Sequence, residues 1–337
     1  MPPIRDVMPA FELFQPASVS DALGVLNRHG SDAWVMAGGM DTFDWLKDRI
    51  KKPKVVVDLG MIDELRGIKD NAGGLEIGAT TTLTTIANDA MVKERFPLLA
   101  QAALIVASPQ IRNVGTLGGN VSQDARCWYY RAGWPCYRAG GNICYADTPT
   151  SINREHAIFN ADRCVAVNPS DTAPALIALD AQFVIKNGDK EKVIPAEEFF
   201  IGPGINITRL NKMEPGDLLT AIRIPNTWAG KGHYFEKVRD RQVWDFALVN
   251  IAAAINASGS SISDVRLVVN GVAATPYRLT AVESFLKGKA RDKATADQAA
   301  DLAVQGNAPL RHNAYKVPLM KALVKRAIRG DAEWQTS

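Results

Sequence analysis

Two glycine-rich segments decide the fold of this 337-residue chain: Ala37-Gly38-Gly39-Met40-Asp41-Thr42 and Gly115-Thr116-Leu117-Gly118-Gly119-Asn120. A pyrophosphate group needs several backbone N–H groups aimed at its oxygens, and side chains kept out of the way. Consecutive glycines permit that close approach and supply the positive φ values that it requires. Because Thr42 and Thr116 add hydroxyl donors, the pattern predicts a phosphate-bearing ligand between the two loops.

A simpler interpretation stays open for either loop taken alone, since a Gly-Gly pair often does no more than form a tight turn. Two such loops, each with Thr or Asn beside the glycines, favour the ligand. Neither loop has the Lys of a Walker A motif or the G-x-G-x-x-G spacing of a Rossmann motif. A nucleotide site here therefore belongs to another fold.

The chain around the first loop alternates between strand and helix patterns. Ala33–Met36 predicts a buried strand that enters the loop, and the apolar spacing through Trp45 predicts the helix that follows. The N-terminus of that helix would then face a bound anion. Repeated strand–helix alternation indicates an α/β unit.

Residues 121–165 interrupt this regular pattern with aromatics, arginines and every cysteine of the chain. We interpret them as an insertion held by something other than an apolar core. Pro225–Lys231 is the best linker candidate, and beyond it three strand-like runs precede three helical ones. The pattern predicts an α+β chain of two domains, residues 1–225 and 226–337.

Composition narrows the class of protein further. The formal net charge of +3 is too small for an electrostatic nucleic-acid surface. Apolar stretches such as Ala247–Ile255 are too short to span a bilayer and are broken by Asn250, so we predict no membrane insertion. Met1–Asp6 lacks the features of an export signal. We expect a cytoplasmic protein, unless a signal-bearing partner subunit carries it elsewhere.

The four cysteines all lie in the insertion, at Cys127, Cys136, Cys144 and Cys164, with the spacing C-x8-C-x7-C-x19-C. Cysteines of an apolar core would not crowd in this way, and disulfides are disfavoured in a chain without an export signal. Structural zinc sites usually have paired C-x2-4-C knuckles, which are absent here. Four thiolates on irregular loops can ligate a [4Fe–4S] cluster. The cysteines and their spacing favour a [4Fe–4S] cluster, and a zinc site stays open as the alternative.

The neighbours of the cysteines suit a redox centre of low dielectric. Six of them are aromatic: Trp128, Tyr129, Tyr130, Trp134, Tyr137 and Tyr145. Three arginines could offset the charge of four thiolates: Arg126, Arg131 and Arg138. His156 is the one nearby alternative ligand, although a histidine that hydrogen-bonds within its own loop is the simpler interpretation.

Taken together, these motifs resemble the FAD-binding (medium) subunit of the xanthine dehydrogenase and aldehyde oxidoreductase family of molybdenum hydroxylases. The resemblance extends from Phe11 to Ile328. Its most specific segments are Ala37–Thr42, Asn113–Asn120, Pro169–Leu176 and Lys237–Arg241. The cysteine insertion is similar to that of the branch whose flavin subunit carries an extra [4Fe–4S] cluster, which strengthens the cluster over zinc.

The resemblance implies a fold and two cofactors. The fold is a vanillyl-alcohol-oxidase-type (PCMH-type) FAD-binding domain of two α/β subdomains, followed by a smaller α/β C-terminal domain. The cofactors are FAD and a [4Fe–4S] cluster, with Cys127, Cys136, Cys144 and Cys164 as the ligands of the cluster.

It also implies which residues hold FAD. The first loop would wrap the pyrophosphate with Met36, Ala37, Gly38, Gly39, Met40, Asp41, Thr42 and Phe43. The second would complete the phosphate and ribityl site with Gly115, Thr116, Gly118, Gly119 and Asn120, with Ser108 and Ile111 beside the cofactor. Asp171 is implied to bond to the adenosine part, and Leu219 and Lys237 to lie near the isoalloxazine ring.

The implied function is electron transfer within a heterotrimer. A large molybdenum-cofactor subunit would oxidise the substrate, a small [2Fe–2S] subunit would pass the electrons on, and FAD in this chain would deliver them to an external acceptor. No catalytic residue is predicted in the chain itself. Two alternatives stay open: a stand-alone FAD oxidase, and a non-catalytic interaction module stapled by zinc.

Overall fold

The computed structural model describes residues 7–330, whose strands form three separate sheets. The first sheet is parallel and consists of β1 (Glu12–Phe14), β2 (Ala33–Met36) and β3 (Val55–Asp58), in the order β1-β3-β2. Helix α1 (Val19–His29) packs on it with Leu23 and Leu26 against Val55 and Val57. The sequence offers Ser18 or Ser20 as the N-cap of α1 and Gly30 as its end; in the structure the Ser18 hydroxyl caps the first turn and Gly30 ends the helix at a φ of 50°.

The second sheet is antiparallel and has five strands. They are β4 (Ile68–Asn71), β5 (Gly74–Gly78), β6 (Gln182–Asn187), β7 (Lys190–Pro195) and β8 (Leu218–Pro225), in the order β4-β5-β8-β6-β7. At its centre Ile77 pairs with Ile222, and both are fully buried.

Most helices of the first 230 residues are short. They are α2 (Thr42–Lys47), α3 (Leu83–Asn88), α4 (Ala90–Arg95), α5 (Pro97–Leu104), α6 (Pro109–Val114), α7 (Leu117–Ser122), α8 (Trp128–Arg131), α9 (Ala173–Ala178) and α10 (Ala196–Phe199). Helices α3, α5 and α9 contribute to one large apolar core with the second sheet.

The third sheet is also antiparallel and lies in the C-terminal part of the chain. Its strands are β9 (Gly232–Val238), β10 (Val249–Ser258), β11 (Ser261–Asn270) and β12 (Tyr277–Arg278), in the order β12-β11-β10-β9. Three helices pack on it: α11 (Thr280–Leu286), α12 (Lys293–Ala303) and α13 (Lys316–Arg329). The predicted order of strands first and helices afterwards is confirmed.

Several elements were not predicted from the sequence, among them strands β7 and β8 and helices α6 and α7. Strand β8 is buried along almost its whole length, so its sequence lacks the polar–apolar alternation that identifies a half-buried strand. Strand β7 is an edge strand rich in charged residues. Helices α6 and α7 occupy a segment rich in turn formers, where Ser108 and Thr116 serve as their N-caps.

No helix within residues 7–330 combines the length and the apolar character that a membrane span requires. Residues 1–6, from which the absence of an export signal was predicted, lie outside the described part of the chain.

The insertion contacts the C-terminal domain through the apolar side chains of Ile158 and Phe159 and through a set of polar contacts. Beside α13, the amide of Asn313 donates to the carbonyls of His156 and Ala157, both at 3.0 Å. The Lys316 ammonium donates to the carbonyls of Glu155 (2.9 Å) and Gly271 (2.6 Å). That something other than an apolar core holds the whole segment stays a prediction, since Ile158 and Phe159 of the insertion belong to the apolar core of the C-terminal domain.

Lys316→Met should change how the stability of the protein depends on pH. Burial lowers the pKa of Lys316 from 10.5 to about 7, so between these values the unfolded chain binds the extra proton. The wild-type free energy of unfolding, relative to the variant, should therefore rise by about 1 kcal/mol per pH unit from pH 7.5 to 9.5. Denaturant titrations of wild type and Lys316→Met at several pH values in this range measure the difference in the free energy of unfolding. A difference that stays constant with pH would contradict the lowered pKa of Lys316.

Candidate cofactor sites

The two glycine loops line one large cavity of about 730 Å³. This volume is within the range of roughly 300–1,000 Å³ typical of ligand sites. The cavity is bounded by the ends of the first sheet, the strand end at Leu219 and a loop of the C-terminal domain at Trp244–Phe246. The site is therefore built from segments far apart in the sequence.

The two loops touch each other through their backbones. A Cβ atom on Gly38 would lie 1.9 Å from the carbonyl oxygen of Val114, and one on Gly118 would lie 2.8 Å from that of Ala79. Gly39 has a φ of 76°, a conformation that glycine adopts without strain. Glycine is required at these positions by the close packing of the loops as well as by access to a ligand.

Two threonine hydroxyls of the loops each accept a hydrogen bond from the protein. Thr42 Oγ1 accepts from the indole N–H of Trp34 at 3.0 Å, and Thr116 Oγ1 accepts from the backbone N–H of Gly119 at 3.1 Å. Since a hydroxyl also carries one proton, both side chains remain able to donate to a ligand oxygen. The geometry fits the donor role predicted for them.

A buried ion pair forms one wall of the cavity. Asp171 accepts from the Lys237 ammonium at 2.6 Å and from the Asn250 amide at 3.0 Å, and the Lys237 and Asp171 side chains are only 1% and 4% exposed. Lys237 also donates to the carbonyl of Asp245 at 2.7 Å. The pair joins the segment before α9 to β9 and β10 of the C-terminal domain.

The pairing bears on one implication of the resemblance. The charged atoms of Asp171 and Lys237 are in contact, so the adenosine and isoalloxazine roles implied for them would fall at one place in the wall of the cavity. Lys237 itself is behind Asp171 and does not line the cavity.

Fifteen of the eighteen predicted cofactor residues line the cavity, and three do not. The three are Met36, Ser108 and Lys237. Ser108 instead caps α6, where its hydroxyl accepts from the backbone N–H of Ile111 at 3.4 Å.

Two further walls of the cavity were not predicted from the sequence. One is the segment 213–219, whose Pro215-Gly216 pair indicates a turn but not what the turn faces. The other is the loop at Trp244, which has a φ of 57°, while the facing Ala107 has a φ of 43°. The Trp244 N–H donates to the Ala107 carbonyl at 2.9 Å. Positive φ values in such residues are uncommon and concentrate at functional sites.

The first glycine loop is linked electrostatically to the insertion. Asp41 forms an ion pair with Arg126 at 2.7 Å, and Arg126 directly precedes Cys127 in the chain. Burial raises the pKa of Asp41, and the neighbouring Arg126 opposes this rise. Both residues also line the cavity.

The four cysteines line a second, small cavity together with aromatic residues of the insertion. None of the four forms a disulfide. The aromatic residues that line this small cavity are Tyr129, Tyr130, Tyr137 and Tyr145. Burial raises the pKa of Cys127 to about 12, so that its thiol is protonated at neutral pH without a metal. Within residues 7–330, no three His, Cys, Asp or Glu side chains are arranged as ligands of a single metal ion.

The sequence suggested that the three arginines of the insertion offset the charge of the thiolates. In the structure they do not simply face the sulfurs. Each forms an ion pair with a carboxylate: Arg126 with Asp41, Arg131 with Asp44 and Arg138 with Asp124. Arg138 also lies in the wall of the cysteine cavity, where its charge opposes the rise that burial causes in the pKa of Cys164. Most of their charge is thus balanced locally.

His156 is the ionisable side chain in contact with a cysteine sulfur. Its Nε2 lies 3.3 Å from Cys127 Sγ, and its ring is buried. Burial, reinforced by the nearby Lys316, lowers the pKa of His156 to about 4. The histidine is therefore neutral at physiological pH.

The fold and the glycine-loop cavity define a PCMH-type FAD-binding protein with an added C-terminal domain. Residues 9–227 match the family model described as the FAD binding domain in molybdopterin dehydrogenase. Residues 233–330 match the one described as the CO dehydrogenase flavoprotein C-terminal domain. The chain belongs to the FAD-binding medium subunits of the molybdenum hydroxylase family, and it is therefore a subunit of an oxidoreductase.

Individual relatives agree with this membership. The chain is 31% identical to the carbon monoxide dehydrogenase medium chain of Hydrogenophaga pseudoflava, over 97% of this chain and 98% of that one. It is 34% identical to the aldehyde oxidoreductase FAD-binding subunit of Escherichia coli K12, over 74% and 78% of the two chains. The structure of the carbon monoxide dehydrogenase from Hydrogenophaga pseudoflava superposes with a TM-score of 0.75 at 30% identity, covering 96% of this chain and 97% of that one.

Proposed function

We propose that this chain is the electron-relay subunit of a heterotrimeric molybdenum hydroxylase, carrying FAD and an additional [4Fe–4S] cluster. A large molybdenum-cofactor subunit and a small [2Fe–2S] subunit are its partners, and an external acceptor receives the electrons. The observation that carries the proposal is the position of the two sites. The Asp41–Arg126 pair joins the glycine loop directly to the residue before Cys127.

The large cavity is the proposed FAD site. Its size, its paired glycine loops and its threonine hydroxyls suit a pyrophosphate-containing cofactor. The lining residues would bind the cofactor and exclude water, and the buried Asp171–Lys237 pair would fix the wall of the cavity. When bound, FAD supplies the ability to exchange electrons singly with a metal centre and in pairs with an organic acceptor.

The four cysteines are the proposed cluster ligands. They line a common cavity and are not paired in disulfides, which suits four-thiolate ligation of iron–sulfur. A single zinc ion would draw its sulfurs to about 3.8 Å from each other, given Zn–S bonds of about 2.3 Å. The cysteines have no such arrangement within the described residues. A cubane cluster binds one thiolate at each iron, so its ligands are spread more widely.

Two alternatives lack support from the comparisons, namely the stand-alone oxidase and the zinc-stapled module. We also propose that the domains divide at residues 225 and 226. The sheet changes there, since β8 ends the five-stranded sheet at Pro225 and β9 begins the four-stranded sheet at Gly232.

The cofactor content of the full chain tests this function. Anaerobically purified wild type, expressed in its native host with a tag, should contain one FAD and, beyond the iron of the [2Fe–2S] subunit, about four iron atoms per chain. It should retain two further polypeptides, one containing molybdenum and one a [2Fe–2S] centre. Cys127→Ser should lose most of this iron and keep FAD, whereas Tyr137→Phe, in the same cavity wall, should keep both.

Each part of the proposal can fail separately. Flavin without the additional iron, or zinc in its place, would overturn the cluster and leave the FAD site standing. A chain that carries FAD and turns over substrate without partner polypeptides would overturn the relay in favour of the oxidase.

A further inference from the structure

His156 touches Cys127 in a geometry that fits a donor better than a metal ligand. Its Nε2 lies 3.3 Å from the sulfur, while its Nδ1, although the ring lies near the backbone of Asn153, meets no acceptor with hydrogen-bond geometry among the described residues. A neutral imidazole carries one N–H, and a cationic one carries two. A proton on Nδ1 alone would leave a buried donor unsatisfied, so Nε2 bears the proton and donates to the sulfur in either state.

The position of His156 is fixed by the C-terminal domain. Asn313 is fully buried and its amide donates to the carbonyls of His156 and Ala157. Lys316, also fully buried, donates to the carbonyl of the adjacent Glu155. The backbone on both sides of the imidazole is thus held by side chains beside α13, which is the arrangement expected of a group whose orientation matters.

We infer that His156 is a positioning residue for Cys127, whose Nε2–H donates to the thiolate sulfur that ligates the [4Fe–4S] cluster. This inference rests on the cluster proposed above. The C-terminal domain thereby contributes to the electronic properties of a centre whose four ligands all lie in the insertion.

The physical consequence concerns the reduction potential of the cluster. An N–H···S hydrogen bond withdraws electron density from the sulfur and stabilises the more negative, reduced form of the cluster. The number of such hydrogen bonds therefore contributes to the reduction potential. Backbone N–H groups of Tyr129 and Tyr130 also reach the Cys127 sulfur. Removal of the histidine should therefore lower the potential without removing the ligand.

The test compares three variants of the full chain by potentiometric titration monitored by EPR, with iron content measured alongside. His156→Leu removes the donor and should lower the potential of the cluster while the iron content stays near that of wild type. His156→Gln restores an N–H donor and should bring the potential back towards wild type. His312→Leu is the matched control: it is exposed in the same segment as Asn313 and should leave the potential unchanged.

The outcomes separate this inference from the proposed cluster. A wild-type chain without a [4Fe–4S] signal would refute the cluster itself. A wild-type cluster whose potential is unchanged in His156→Leu would refute the inference alone. Loss of the cluster in both His156 variants, together with its retention in Cys127→Ser, would make His156 the ligand and would also refute it.

Discussion

Gly38→Ala is expected to reduce the affinity for FAD by at least about 100-fold. The new Cβ would lie 1.9 Å from the carbonyl oxygen of Val114 and 2.7 Å from its carbon, and both are backbone atoms that no rotamer change can move. The two loops must separate by more than an ångström. The N–H groups of the first loop would then lose their aim at the pyrophosphate, and two charge-assisted hydrogen bonds of about 1.5 kcal/mol each account for a loss of this size.

The matched control is Gly24→Ala in helix α1, where an added Cβ has nothing within 4 Å. That variant should keep its FAD and gain slightly in stability, because alanine is the better helix former. Flavin content after gel filtration and titration of the apoprotein with FAD measure both effects. Wild-type affinity for FAD in Gly38→Ala would show that backbone contact with the second loop does not hold the first loop in its binding position.

Asp171→Ala is expected to destabilise the protein by about 3–5 kcal/mol, because it leaves the Lys237 ammonium buried without its partner. For a chain of this size the loss corresponds to a melting temperature lower by roughly 5 °C. The Asn250 amide would lose its acceptor as well. FAD content should fall too, since Asp171 lines the cavity.

A second substitution tests whether the unpaired charge of Lys237, and not the lost volume of the Asp171 side chain, causes the loss of stability. The double variant with Asp171→Ala and Lys237→Met removes both charges and should recover most of the lost stability. Asp297→Ala is the control, because its pair with Lys293 lies at the surface and its loss should barely move the melting temperature. Equal melting temperatures for Asp171→Ala and the control would refute the buried pair as a major contribution.

Prediction from sequence succeeded where the determinants are local. Ser18 and Gly30 delimit α1 by cap chemistry that operates over a few residues, and the apolar run Ala33–Met36 before the glycine loop predicted β2. It failed for β8 because burial on both faces erases alternation. It also failed for the orientation of Lys237, since nothing near that residue in the chain indicates Asp171 as its partner.

The cysteine segment shows the same division. The sequence alone shows that Cys127, Cys136, Cys144 and Cys164 lie in one stretch of the chain. Their common cavity exists only in the folded chain, and two of the three neighbouring arginines, Arg126 and Arg131, pair with the acidic residues Asp41 and Asp44 of the distant α2 segment.

By itself, then, the sequence determined the family, the two glycine loops and the crowding of the cysteines, because each of these is written in short contiguous motifs. Only the tertiary structure decided that the loops meet backbone to backbone at Gly38, that Asp171 neutralises Lys237, and that His156 faces Cys127. These contacts join residues far apart in the chain. Packing within the first domain creates the Gly38 and His156 contacts, and packing between the two domains creates the Asp171–Lys237 pair. No local pattern of residue types encodes which distant atoms will touch.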